Sequence, residues 1–379
     1  MPEAASTSAR DALTLFFSGD VMLGRGVDQI LPYPGDPTLY EHHVRDARTY
    51  IDLAIRANGS IPQPVDWSWP WGDALELLEY AGCDARIINL ETSITTSDDY
   101  VPGKAVHYRM NPANVEAVSA VRPDVCVLAN NHVLDFGRRG LLETLDVLAA
   151  SGLQTVGAGL SLLQARSPAV VPIQRTGGRV LIFAFGSPSS GIPYDWAATQ
   201  DRPGVHLVPT LDHAAADQLC RRVRDVREPG DLAIVSAHWG SNWGYRVEPD
   251  HIRFAHRLID GGVDLVHGHS SHHPRPIEIY RQKLILYGCG DLVDDYEGIS
   301  GHQQYRDDLR LLYLPQLDPA SGELVQLYMA PLQARQMRLH RASDSDGRWL
   351  RKTLDKVSRR FGSRIDLRSD GLLTFANRR

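Results

Sequence analysis

Short apolar runs recur along the chain, and each stops just before residues that can hold a metal or carry a proton. Leu13 to Phe17, Ala85 to Ile88, Val125 to Leu128, Leu232 to Val235, Val263 to Val266 and Leu284 to Tyr287 are four or five residues long and rich in β-branched or aromatic side chains. Runs of that length, closed by polar or glycine residues, read as buried strands. Between them lie stretches of helical period, such as Gly72 to Tyr80, Gly140 to Ser151, Leu211 to Val226 and His251 to Asp260. Alternation of this kind predicts layered α/β architecture.

The polar blocks at the run ends are Ser18-Gly19-Asp20, Asn89-Leu90-Glu91, Asn130-Asn131-His132, Ala237-His238-Trp239-Gly240, the stretch His267 to His273, and Gly290-Asp291. In an open α/β sheet, ligands gather beyond the carboxyl ends of the strands, so residues distant in sequence meet at one edge. The blocks therefore predict a metal site on strand-end loops.

Composition narrows the partners. With 379 residues, 43% hydrophobic and 23% charged, the chain can build a sizeable core in one or two domains. A formal charge of -6 argues against nucleic-acid binding, which needs a basic face. An anionic ligand then requires a local positive device such as a metal. No run approaches the ~18 apolar residues of a membrane span, and the first residues lack a basic-then-apolar leader pattern. A cytoplasmic location is the expectation, with no membrane partner and no oligomeric state fixed. Cys83, Cys126, Cys220 and Cys289 are widely spaced and read as reduced core thiols.

Along the chain, an irregular start reaches about Ala9, and the main domain is expected over residues 10–335. Residues 28–71 form a long insertion rich in Pro, Tyr and Trp, of the length that often serves as a lid. Val170 to Ile173 and Val180 to Phe185 are expected to begin a second sheet, and Leu309 to Leu314 with Leu324 to Met329 to close it. Residues 336–379 read as a helical and strand extension packed on the domain, its arginines forming a solvated helix face.

The blocks in this order resemble those of CapA-type proteins, named for poly-γ-glutamate capsule synthesis, in the calcineurin-like metallophosphoesterase superfamily. The matching pieces are Gly19 to Arg25, Asn89 to Thr92, Leu128 to His132 with Asp135 and Gly137, Gly157-Ala158-Gly159, His238-Trp239-Gly240 and Gly268 to His272. The resemblance covers roughly residues 13 to 295 and implies a four-layer αββα sandwich of the metallophosphoesterase type. Carried over residue by residue, it implies Glu91, Asn131, His238 and His269 as metal ligands. A second metal position is depleted, because Met22 and Ser271 stand where the superfamily has histidines. A thioether binds hard or borderline divalent ions poorly, so one tightly held divalent ion is expected. Calcium, manganese and zinc are not distinguished.

Residues left without a metal become free for proton transfer, with His132, Asp20, His272 and Asp291 as catalytic candidates. The chain resembles the anchor-free CapA-like proteins that epimerise a residue of a lasso-peptide precursor. The expectation is therefore a metal-dependent peptide epimerase acting on the α-carbon of a precursor-peptide residue. Metallophosphoesterase activity and a non-catalytic accessory role in poly-γ-glutamate synthesis are the alternatives, and hydrolysis is the runner-up chemistry. Trp67 and Trp239 are candidate aromatic contacts for a peptide, and Lys104 and Arg109 candidate partners for its carboxylate.

Overall fold

The computed structural model describes residues 12–375; the irregular start expected through Ala9 lies outside the described residues. Two large sheets form around the anticipated strands. The first runs, in spatial order, Ile365–Leu367, Leu373–Phe375, Leu324–Arg335, Leu309–Leu317, Leu13–Val21, Ala85–Leu90, Val125–Val127 and Gln154–Val156. The second runs Ile277–Tyr280, Lys283–Leu286, Leu265–His269, Leu232–His238, Arg179–Gly186 and Ala169–Pro172.

Side-chain alternation decides how the sheets stack. Leu13, Leu15 and Phe17 from the first sheet join Val180, Ile182, Ala184, Leu232, Ile234 and Leu265 from the second in one buried cluster between the sheets. Phe16, Ile88 and Leu128 point the other way, under the helices Arg48–Asn58, Ala74–Ala81 and Gly137–Ala150. Leu181, Phe183, Phe185 and Val235 likewise face the helices His213–Val226 and Pro249–Asp260. A period-2 strand apolar on both faces can only be satisfied this way, and the result is the four-layer αββα sandwich. Burying a side chain such as Phe17 or Ile234 between the sheets contributes about 1.5–3 kcal/mol, and many such residues hold the two sheets face to face. Asp212 caps the helix His213–Val226 by accepting from the Ala215 amide, and Pro249 opens the next helix where its missing N–H costs nothing.

Three expectations change. The strands Leu309–Leu317 and Leu324–Arg335 close the first sheet, not the second, because Leu309–Leu317 pairs antiparallel with Leu13–Val21. The insertion is no free lid: its Ile30, Leu39, Tyr50, Ile51, Ala54 and Trp71 are buried against the outer face of the first sheet. At the other end, the helix Asp344–Ser358 sends Leu350 and Leu354 into the inter-sheet cluster. The third change is that the strands outrun their apolar stretches. Parallel pairing continues through Asp20 with Asn89 and through His238 with His269, so the polar residues stand on strand ends, held by the ladder. The cysteines are free, three of them buried, and among the described residues no helix is long and apolar enough to cross a membrane.

Candidate metal centre

The carboxyl ends of Leu13–Val21, Ala85–Leu90, Leu232–His238 and Leu265–His269 converge on one polar cluster. Gly19 allows the approach: a Cβ there would lie 1.6 Å from the Gly290 carbonyl oxygen. One residue on, Asp20 is completely buried. Asn89 donates to Asp20 Oδ1 at 2.7 Å and to Glu91 Oε2 at 3.0 Å, holding the two carboxyl groups side by side. Asn130 supports Asn89 at 3.2 Å and takes the amides of His132 and Val133 on its oxygen, which turns the chain toward the cluster.

Two sets of ligand-type atoms lie within 4.8 Å of one another: Asp20 with His238 and His269, and Asp20 with His272 and Asp291. His238 stands at the centre of the first. Its Nε2 is 3.0 Å from Asn131 Oδ1 and 3.8 Å from Glu91 Oε1, while its Nδ1 is 2.7 Å from His269 Nδ1. His269 Nδ1 is in turn 4.0 Å from Asp20 Oδ1. His269, expected as a ligand with Glu91, Asn131 and His238, thus lies in the same set, within hydrogen-bonding distance of His238 and beside Asp20. His132 Nε2 approaches Glu91 Oε1 at 3.9 Å from the outer side.

The second set replaces what the sequence lacks. Met22 turns its sulfur to the Tyr296 hydroxyl at 3.8 Å, and Ser271 Oγ donates to the His273 carbonyl at 2.9 Å. His272 fills the gap, its Nδ1 2.9 Å from Asp291 Oδ1. His132 and His272 are 7% and 8% exposed and Asn131 is only partly buried, so these three mark the solvent side of the cluster.

Electrostatics fits this donor set to a cation. Burial, then the charge of Asp291, pushes Asp20 up to about 7, and burial with Asp20 pushes Glu91 well above the carboxylate range. Burial holds His238 and His269 well below their usual value, so both are neutral with lone pairs to give. Asp20 Oδ2 and Asp291 Oδ2 are buried with no hydrogen-bond partner. Carboxylates that cannot ionise comfortably, neutral imidazoles and orphaned acceptors are what a divalent cation corrects. Ser270, directly after His269, is held at a φ of 94°, a strained backbone of the kind that clusters at functional sites.

The four residues expected to meet a substrate are placed elsewhere or already engaged. Trp239 is 2% exposed, packs on Phe185 and Phe254, and donates from Nε1 to the Tyr287 carbonyl at 3.1 Å, so it has no face to offer. Trp67 packs beside Tyr33 on the core under the insertion. Arg109 gives its guanidinium to the Ser97 and Asp36 carbonyls and pairs with the Asp36 carboxylate. Lys104 does reach the cluster, but as a strut: its Nζ meets Asp135 Oδ1 at 2.5 Å, His132 Nδ1 at 2.8 Å and the Val106 carbonyl. Asp135 Oδ2 lies 2.6 Å from His132 Nδ1, and burial first, with Lys104 adding to it, brings His132 down to about 4 despite Asp135.

Sequence reasoning placed Asn89 in a polar block without a role, and missed Ser236 and Tyr108 as parts of the site. Asn89 proves to tether Asp20 and Glu91. Ser236, between the His267 and His269 rings, and Tyr108, edge-on to His132 at 4.6 Å, sit inside ordinary-looking segments.

Comparison with known proteins then decides the family. Residues 14–296 match the model of the bacterial capsule synthesis protein PGA_cap. The chain belongs to this family. It is 57% identical, over 96% of both chains, to a Mycobacterium tuberculosis protein named "Probable polyglutamine synthesis accessory protein". It is 26% identical to the PGA biosynthesis protein CapA of Bacillus subtilis, covering 81% of this chain and 69% of that one. With the capsule biosynthesis protein CapA of Bacillus anthracis it shares 24% identity, over 75% of this chain and 60% of that one. These names overturn the expected peptide epimerase, and hydrolysis behind it: the relatives are named for polymer synthesis, the most similar of these three as an accessory protein. The acid–base roles assigned to His132, Asp20, His272 and Asp291, and the lasso-precursor substrate, rested on the epimerase expectation and lose that support.

Proposed function

We propose that this chain is an accessory protein in the synthesis of a glutamine- or glutamate-type polymer, and that it works through one divalent cation seated by Glu91, Asn131 and His238. The observation that carries the first half is the 57% identity over 96% of both chains to a relative named as such an accessory protein. The second half is supported by Glu91 and Asn131 placing acceptor oxygens within 3.8 Å of His238 Nε2. A mixed nitrogen and oxygen set favours manganese or zinc over calcium, which prefers oxygen alone.

A cation bound there supplies a positive centre able to hold a carboxylate or amide oxygen, the groups such a polymer carries. The residues of the chain prepare that centre. Asn89 keeps Asp20 and Glu91 in place, while Lys104 and Asp135 fix the His132 ring at the solvent side. The overall negative chain then meets an acidic polymer through a local positive point.

The test uses a polymer-producing host deprived of its own accessory protein. Wild-type chain should restore the polymer, measured by amino-acid analysis, and His238→Ala should not. Equal polymer with and without the chain contradicts the accessory reading. Restoration by a chain that elemental analysis shows to be metal-free contradicts the cation.

A further inference from the structure

Five groups behind the proposed seat form one unbroken line of hydrogen bonds, and all are fully buried: Ser18, His267, Ser236, His269 and His238. His267 Nε2 lies 2.7 Å from the Ser18 carbonyl oxygen. Ser236 Oγ lies 3.0 Å from His267 Nδ1 and 2.9 Å from His269 Nε2. His269 Nδ1 and His238 Nδ1 are 2.7 Å apart. Rings this deeply buried stay neutral, and a neutral imidazole carries one N–H and one lone pair.

The direction of the line follows from its inner end, because a carbonyl oxygen can only accept. His267 must therefore donate from Nε2, which leaves its Nδ1 as the acceptor. The Ser236 hydroxyl then spends its one proton on His267, and its oxygen accepts from His269 Nε2–H. That leaves His269 Nδ1 bare, so across the 2.7 Å contact the proton sits on His238 Nδ1. The line ends with His238 Nε2 bare, 3.0 Å from Asn131 Oδ1 and 3.8 Å from Glu91 Oε1. Two acceptors that close repel unless a cation, or a turned amide, lies between them.

We propose that Ser236 and His267 are positioning residues: through this line they set the tautomers of His269 and His238, so that His238 presents a bare Nε2 to the cation seat. The proposal rests on the cation reading for its purpose, and on the hydrogen-bond line for its content. Outer partners of this kind fix the ring a metal binds, and losing one costs about 10- to 100-fold in metal affinity.

The test is ring-nitrogen NMR of the full, metal-free chain, followed by Mn²⁺ and Zn²⁺ titration. Wild-type protein should show protons on Nε2 of His267 and His269 and on Nδ1 of His238. Ser236→Ala should mix the His269 and His238 tautomers and weaken Mn²⁺ binding about 10- to 100-fold, and Ser236→Thr, which keeps the hydroxyl, should restore both. A wild-type His269 protonated on Nδ1 overturns the proposal even if every variant unfolds. So does a folded Ser236→Ala with tautomers and affinity unchanged. If the tautomers are as assigned and neither ion binds, the line stands and the cation reading falls.

Discussion

Two seats lie on either side of Asp20, and they differ in what already occupies them. In the inner one, around Glu91, Asn131 and His238, burial keeps the imidazoles neutral and forces protons onto the carboxyls. In the outer one, burial alone would depress His272, but Asp291 at 2.9 Å and Asp20 overturn it and hold the ring above its usual value. The inner seat offers lone pairs and lacks positive charge; in the outer seat the His272 ring and the Asp291 carboxyl already satisfy one another. The same residue types therefore yield a candidate metal seat in one place and an internally satisfied pair in the other, according to whether a carboxylate lies within hydrogen-bond reach of the ring.

The sharpest way to break this comparison is to delete one imidazole from each seat. His238→Ala should weaken Mn²⁺ or Zn²⁺ binding by more than the roughly 10- to 100-fold typical of losing an outer partner. His272→Ala should change it only a few-fold, both read by calorimetry on the full chain. Equal losses would mean that the seats are one site.

A pH series sharpens it further. Asp20, pushed up to about 7, and Glu91, pushed well above the carboxylate range by burial, hold protons that a cation must displace, whereas His238 and His269 have none to lose at neutral pH. Affinity should accordingly fall as pH drops below 7, by about tenfold per unit for each proton displaced. A flat profile between pH 8 and 6 would remove the raised carboxyls from the binding event.

In the outer seat, Asp291→Asn should remove the largest influence that raises His272. With that carboxylate gone, burial weighs more heavily, and the ring should titrate lower by NMR. The sign for stability follows: a histidine raised in the folded chain contributes stability below its unfolded value of 6.5, lost as pH rises through the folded one. Asp291→Asn should therefore cost more in urea midpoint at pH 6 than at pH 8.5.

The smallest effect is expected from Met22→His, which returns an imidazole to the outer seat at a fully buried position. Its measure is metal stoichiometry, which should rise above one per chain at high Zn²⁺. Unchanged stoichiometry would show that the His272–Asp291 pair, rather than the thioether, blocks a second ion.

Much of this was legible in the sequence because buried parallel strands are written as continuous apolar runs and their ends as polar blocks. Asp20, Glu91, Asn131, His132, His238 and His272 all meet where that pattern put them. What stayed hidden depends on facing direction and on long-range pairing. Trp239 follows a site histidine, yet its ring lies in the core with Phe185 and Phe254. Lys104 is charged like any surface lysine, but is partly buried and paired with Asp135. The strand Leu309–Leu317 has apolar residues for both faces, so its pattern suits either sheet, and only its register with Leu13–Val21 places it in the first. Ser236 is a small polar residue inside an apolar strand, and nothing local marks it as the link between two histidines.

The most direct test of the two-seat account is anomalous diffraction from crystals of the full chain grown with Mn²⁺ or Zn²⁺. One peak is expected, at bonding distance of roughly 2.0–2.2 Å from Glu91, Asn131 Oδ1 and His238 Nε2. A peak held by Asp20, His272 and Asp291 instead, or no peak at all, would contradict it.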